Sequence, residues 1–130
     1  MTDFTQRLGI TDASPQEAAR PGDDAGKALT VGAEHLNKNG TLHGGVMATI
    51  LDTAMGDAVR SHLGEDEETA TVSMTITYLA PAKEGDELRA SAEIRKQGSS
   101  LVLVESDLTR PEDDKAIAHG VATFTVLGGD

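Results

Sequence analysis

From Gly44 to Leu63 the chain reads GGVMATILDTAMGDAVRSHL, with Val, Met, Ala, Ile and Leu at helical spacing. Val46, Met47, Ile50, Leu51, Ala54 and Ala58 take up most of the helical circumference, so this helix needs cover on most sides. Downstream the hydrophobic period shortens from 3.6 to 2. In TVSMTITY (71–78), Val72, Met74, Ile76 and Tyr78 alternate with Thr71, Ser73, Thr75 and Thr77. Leu88, Ala90, Ala92 and Ile94 alternate with Arg89, Ser91, Glu93 and Arg95. LVLVESDLT (101–109) and AIAHGVATFTVL (116–127) read as two further strands. The turns PAKEGDE, KQGSS and RPEDDK between them predict an antiparallel meander of four strands. One apolar helix against such a sheet is an α+β architecture, and a sheet curved around the helix supplies the cover.

Upstream of the helix the pattern weakens. Residues 1–23 carry little periodicity, with a short helix expected near Thr2–Leu8 and a loop through Ser14–Asp24. LTVGAE (29–34) predicts a short strand, and NKNGTLHGG (37–45) a loop leading into the helix. A length of 130 residues suits a single domain, 1–130, with surface left over for a partner subunit.

Composition narrows the chemistry. The aromatic share is 2% (Phe4, Tyr78 and Phe124) and the net charge is −11, so base stacking and polyanion attraction are both missing and nucleic acid is excluded as a partner. The absence of cysteine removes disulfides, thiolate metal sites and a Cys nucleophile. His35 and His43 stand eight residues apart across a glycine-rich loop with no third ligand, so no metal or other cofactor is expected. Asp52, Asp57 and Arg60 interrupt the apolar run, which argues against a membrane span. The opening MTDFTQRLGI has no basic and apolar blocks of a signal peptide, and a cytoplasmic location is the expectation.

Asp52 is the residue out of place. Burying an ionised carboxylate costs several kcal/mol unless something compensates, roughly 2–7 for a polar group alone. On the helical wheel Gly45, Thr49, Asp52 and Gly56 form one stripe of small or polar residues, leaving room for something to approach the backbone. The acid is either structural, satisfied by hydroxyls or backbone, or a reacting group. The sequence before it bears on the choice. His43-Gly44-Gly45 opens the helix, where the first N–H groups lack internal partners and carry the positive end of the dipole. Such a terminus suits a carbonyl oxygen that becomes negative in a transition state. No GxxxxGK[ST] phosphate loop and no GxSxG nucleophile elbow is present.

The run HLNKNGTLHGG (35–45), followed seven residues later by Asp52, resembles the hotdog-fold acyl-CoA thioesterases of the phenylacetate-pathway (PaaI) and thioesterase superfamily member 2 type. The resemblance extends through MTITYLAPAKEGDELRASAEIRKQG (74–98) and AHGVATFTVLG, about residues 27–128 in all. It implies a hotdog fold, a hydrolase acting on an acyl-CoA, and pairing of the chain with itself as a homodimer, with a dimer of dimers (homotetramer) beyond that. It makes Asp52 the nucleophile or the base for water, Gly44 the oxyanion N–H donor, and Asn37 and His43 the residues that shape the site. Thr71 falls where relatives carry a water-positioning hydroxyl. Gly45 is a further substrate-binding candidate, and Lys83, Arg89, Arg95 and Lys96 are the candidate basic groups for the anionic CoA.

Two other functions fit the same chain. A hotdog hydratase or dehydratase would use His43 with Asp52 as an acid–base pair at Cα and Cβ of the acyl chain. A non-catalytic acyl-CoA sensor, as hotdog domains can be in transcription regulators, would carry a DNA-binding segment and have no need of the buried acid. An aryl- or medium-chain acyl-CoA thioesterase accounts for more of these features than either.

Overall fold

The computed structural model describes residues 3–13 and 26–128. The loop expected through Ser14–Asp24 lies outside them. A short helix α1 (Phe4–Arg7) and strands β1 (Thr11–Asp12) and β2 (Lys27–Thr30) lead to a one-turn 3-10 helix (Ala33–His35). The long helix α2 (Gly44–Arg60) follows, then β3 (Glu67–Tyr78), β4 (Glu87–Gln97), β5 (Leu101–Arg110) and β6 (Lys115–Gly128). The strand expected over 29–34 is shifted: pairing stops at Thr30, and the chain turns into the 3-10 helix.

All six strands form one antiparallel sheet in the order β1-β2-β4-β5-β6-β3. The four-strand meander is therefore only three strands long, β4-β5-β6. β3 does not pair with β4 but lies beyond β6 at the sheet edge, Met74 opposite Ala122 and Tyr78 opposite Ala118. The segment PAKEGDE is thus a crossing between distant strands and no hairpin turn. Its backbone is held along the way: Leu42 N–H donates to Ala82 O, and Val31 N–H to Asp86 O, each at 2.8 Å. Asp86 also accepts from Lys83 N–H and from Arg110 Nη1, both at 3.0 Å, which ties the crossing to the end of β5.

α2 sits against the inner face of the sheet and touches β2 to β6. Ile50, Leu51 and Met55 are fully buried, each contributing about 1.5–3 kcal/mol of transfer free energy. The sheet meets them with small residues: Ala90, Ala118 and Ala122 are buried, and a Cβ at Gly120 would stand 3.3 Å from Met55 Cε. Small side chains there let the sheet close on the helix. Leu88, Ala90, Ala92 and Ile94 face inward as their alternation predicts.

β3 departs from its pattern. A bulge between Thr71 and Ser73 inserts Val72 as an extra residue, and Val72 is 59% exposed. Beyond it Met74 and Ile76 pack on the core as expected. Before it the phase reverses, and Thr71 points at α2 instead of away from it.

Candidate active site

α2 begins at a defined cap. His43 is extended (φ −64°, ψ 135°), and its Nδ1 accepts from Gly45 N–H at 2.8 Å. The accepting nitrogen leaves Nε2 to carry the ring proton of neutral His43. Gly44 N–H has no acceptor among the described residues, while Gly44 O accepts from the Tyr78 hydroxyl at 3.2 Å. The loop before the cap is organised by Asn37, whose Oδ1 accepts from Asn39 N–H (2.9 Å) and Thr41 N–H (3.2 Å). Asn37 Nδ2 donates to Thr41 Oγ1 at 3.0 Å, so the side chain braces the loop.

Asp52 stands two turns further along. It is half-buried rather than dry, because the stripe it shares with Gly45, Thr49 and Gly56 faces an opening. That opening is a cavity of about 430 Å³ between α1, α2 and β3, with Phe124 of β6 also lining it. Thr71 Oγ1 donates to Asp52 Oδ1 at 2.7 Å, and both residues line the cavity. Thr53, Gly56, Thr69 and Ala70 complete its small-residue walls.

Asp57 lies on the polar side of the same cavity with Lys27 and Arg60. Lys27 Nζ bridges Asp57 and Asp12, and Arg60 Nη2 reaches Asp57 Oδ1 at 2.7 Å. Burial draws Lys27 toward its neutral form, but the two carboxylates outweigh that and raise its pKa. Burial likewise pushes the Asp57 carboxyl up, and Lys27 and Arg60 outweigh it, leaving it below the ordinary range. A depressed carboxyl stabilises the fold above its unfolded pKa and loses that contribution as the pH falls through the folded value. Asp57→Asn should therefore cost about 1–2 kcal/mol near neutral pH, and the gap should close below about pH 4. Thermal melts of parent and variant at the two pH values check this.

The expected site residues thus fall into two groups. Asp52 and Thr71 meet at the cavity. Gly44, Gly45, His43 and Asn37 cluster at the start of α2, about 12 Å up the helix axis from Asp52 at 1.5 Å per residue. Lys83, Arg95 and Lys96 are exposed and none lines the cavity; Arg95 is occupied by Glu93 at 3.3 Å. Arg89, on β4, does not line it either. His35 is a satisfied interior histidine: Gly32 N–H donates to its Nδ1 (2.9 Å), and Nε2 bonds Leu8 O (2.6 Å). No group of three or more His, Cys, Asp or Glu able to hold a metal exists among the described residues. Phe4 and Lys27 were not anticipated at the cavity, since no local pattern ties them to α2; Arg60, at the end of α2, was read only as a charge that interrupts the apolar run. Tyr78 was read only as an inward strand residue.

Residues 39–117 match the profile of the Thioesterase superfamily. The chain belongs to that superfamily. Its long helix α2 cradled by a curled antiparallel sheet is the hotdog fold, as the resemblance implied. Acyl-coenzyme A thioesterase 13 of Mus musculus is 40% identical over 92 residues, 71% of this chain and 65% of the mouse protein. Acyl-coenzyme A thioesterase PaaI of Escherichia coli is 30% identical over 69% of this chain and 61% of its own length. The chain thus spans less than two-thirds of either curated relative. The solved E. coli PaaI structure superposes with a TM-score of 0.81 at 26% identity, over 96% of this chain and 84% of that one. A Bacillus halodurans protein crystallised with CoA gives 0.74 at 34% identity, over 78% and 70%. No described helix is long and apolar enough to cross a membrane.

Proposed function

We propose that this superfamily member hydrolyses an aryl- or medium-chain acyl-CoA to the free acid and CoA. The observation that carries the reading is the Asp52 carboxylate, held at 2.7 Å by Thr71 on the wall of a cavity. The names of the relatives, acyl-CoA thioesterases among them, and the CoA in the Bacillus halodurans structure support the same substrate class. A thioester carbonyl is already electrophilic. Asp52 takes a proton from water as the water attacks the carbonyl carbon, or attacks that carbon itself to form an acyl–Asp52 anhydride that water then hydrolyses to the free acid; in either case the C–S bond breaks, and the CoA thiolate leaves and takes up a proton. The developing oxyanion needs a donor, and the unpaired Gly44 N–H at the positive end of α2 is suited to it.

One chain does not bring these groups together. A carbonyl oxygen on Gly44 N–H and a carbon within about 3.5 Å of Asp52 require the two groups close in space, not two turns apart. We therefore assign each site to two copies of the chain in a two-fold homodimer with antiparallel helices, Gly44 from one and Asp52 from the other. β3 supports this: it is an edge strand, and Val72, Tyr78 and Leu79 on or beside it are 53–59% exposed. A further pairing into a dimer of dimers would follow the family resemblance. Asn37 and His43 then shape the partner's site from the helix start.

The test is release of free thiol from a panel of acetyl-, hexanoyl-, phenylacetyl- and benzoyl-CoA, read beside enoyl absorbance with a crotonyl thioester. Thiol release supports the hydrolase; hydration of the double bond without thiol release would overturn it in favour of a hydratase. Within this reading Thr71→Val, which keeps the shape and removes the hydroxyl, should lower kcat about tenfold, equivalent to about 1.4 kcal/mol of transition-state stabilisation. Thr71→Ser should retain activity, which separates the hydrogen bond from the packing.

A further inference from the structure

Gly44 opens α2 with no positive φ, so its backbone conformation does not call for glycine. Alanine would serve a helix better. What stands against alanine is a neighbour. A Cβ at position 44 would lie 3.3 Å from Tyr78 Cζ and 3.4 Å from both Cε1 and the hydroxyl oxygen. The tyrosine ring thus occupies the place that a side chain on the first residue of the helix would take.

Tyr78 reaches that place by strand phase. Met74, Ile76 and Tyr78 share the inner phase of β3 beyond the bulge, and the first two pack on the core. Tyr78 is the last residue of the strand, and the chain after it is tied to β6, since the Leu79 and Ala80 N–H groups both donate to Ile117 O. From this fixed point the side chain extends past the core. It is 53% exposed, and its hydroxyl donates to Gly44 O at 3.2 Å. Core packing does not account for a ring so open, and water competes for such a hydroxyl, so the contact adds little to the fold.

Its effect falls on one peptide unit. The unit joining Gly44 to Gly45 is held at both ends, by the Tyr78 hydroxyl on its oxygen and by His43 Nδ1 on its N–H. Helix ends fray, and glycine is the residue with most freedom to do so. A donor stabilises an oxyanion only when it already points at it. We infer that Tyr78 is a positioning residue for this reaction: ring and hydroxyl together fix Gly44, so that the Gly44 N–H keeps one direction toward the developing oxyanion. The inference rests on the thioesterase reading and deepens it. In the two-fold dimer Tyr78 then serves, with Gly44, the site that holds the partner's Asp52.

The measurement is kcat and KM for the thioester of the panel that the parent turns over fastest, beside a thermal melt. Tyr78→Phe keeps the ring and removes the hydroxyl. Its kcat should fall about fivefold, the scale of one neutral hydrogen bond, with KM within about twofold and the melt unchanged. A tyrosine that only packs would move the melt and leave kcat alone. Gly44→Ala keeps the N–H and pushes the ring aside, and it should lower kcat to a similar extent. The double variant should lose no more than either single one, because both changes remove the same contact. The chain has one tyrosine and no tryptophan, so tyrosine emission reports Tyr78 alone and should change in Gly44→Ala. A folded Tyr78→Phe with the parent's kcat overturns the inference and leaves the thioesterase standing; so does a double variant in which the two losses multiply. If Tyr78→Phe does not fold, Gly44→Ala decides: parental emission and parental kcat overturn the inference equally. A parent that releases thiol from none of the thioesters removes the function and this inference together.

Discussion

Asp52→Ala should fold normally and lose about 10³-fold or more in kcat. The fold has little stake in this side chain. Asp52 is half-buried, its side chain's one hydrogen-bonding partner among the described residues is the Thr71 hydroxyl at the cavity wall, and alanine is a better helix former than aspartate. The reaction has a large stake, since the other carboxylates of the described cavity are committed elsewhere: Asp3 caps α1, accepting from Gln6 N–H and the Thr5 hydroxyl. Asp57, the nearest acid along α2, is neutralised by Lys27 and Arg60. Thiol release measured beside a thermal melt separates the two effects. Turnover within about threefold of the parent in a folded variant sinks the assignment. Asp52→Asn makes a second check: a structural acid survives it with activity intact, a reacting one does not.

The second large effect concerns the far end of the helix. Gly44→Pro removes one N–H at the first helical position, where proline fits, and the extended His43 before it is compatible with a following proline. Loss of one oxyanion donor costs about 10² to 10³ in kcat. KM should move little, because the ground-state carbonyl gains less from that bond. A Cβ at position 44 stands 3.3 Å from Tyr78 Cζ, so Gly44→Ala, which keeps the N–H, is the control for crowding. Asp52→Ala and Gly44→Pro, each inactive alone, are then unfolded and refolded together in equal amounts. Half the dimers are mixed, and each mixed dimer holds one site with an intact Gly44 and an intact Asp52. Roughly one quarter of parent activity should return. No recovery despite demonstrated subunit exchange would confine the site to one chain and remove the Gly44 assignment or the Asp52 one.

The sequence carried the elements well and their neighbours poorly. The helix expected over 44–63 is helical from Gly44 to Arg60, and the four long strands lie where alternation placed them. Periodicity reports which way a residue faces, because burial on one side of an element is a local demand. It does not report which strand lies alongside, and so the crossing from Tyr78 to Glu87 read as a turn although it carries the chain across the fold. Asp52 was legible because an acid on an apolar helix is a local contradiction. Its surroundings were not: Phe4 and Lys27 reach the cavity from a segment with no pattern of its own, by way of contacts such as that between His35 and Leu8. Thr71 was placed on the wrong side by strict alternation, since one inserted residue leaves no mark in a run of threonines and small apolar side chains.

That inserted residue, Val72, acts as a change of phase along one strand. The half before it turns the Thr71 hydroxyl toward Asp52 on the helix; the half after it turns Met74 and Ile76 inward and serves the packing. A uniform strand offers one inner face with one character, so it meets one of these demands at the expense of the other. The bulge uncouples them. Substitutions over 67–71 and over 73–78 therefore answer to separate requirements, and a homologous chain is free to redesign its chemistry without repacking its core. Losing the single residue at 72 would end that independence: either the hydroxyl leaves Asp52, or the apolar half of the strand turns to water.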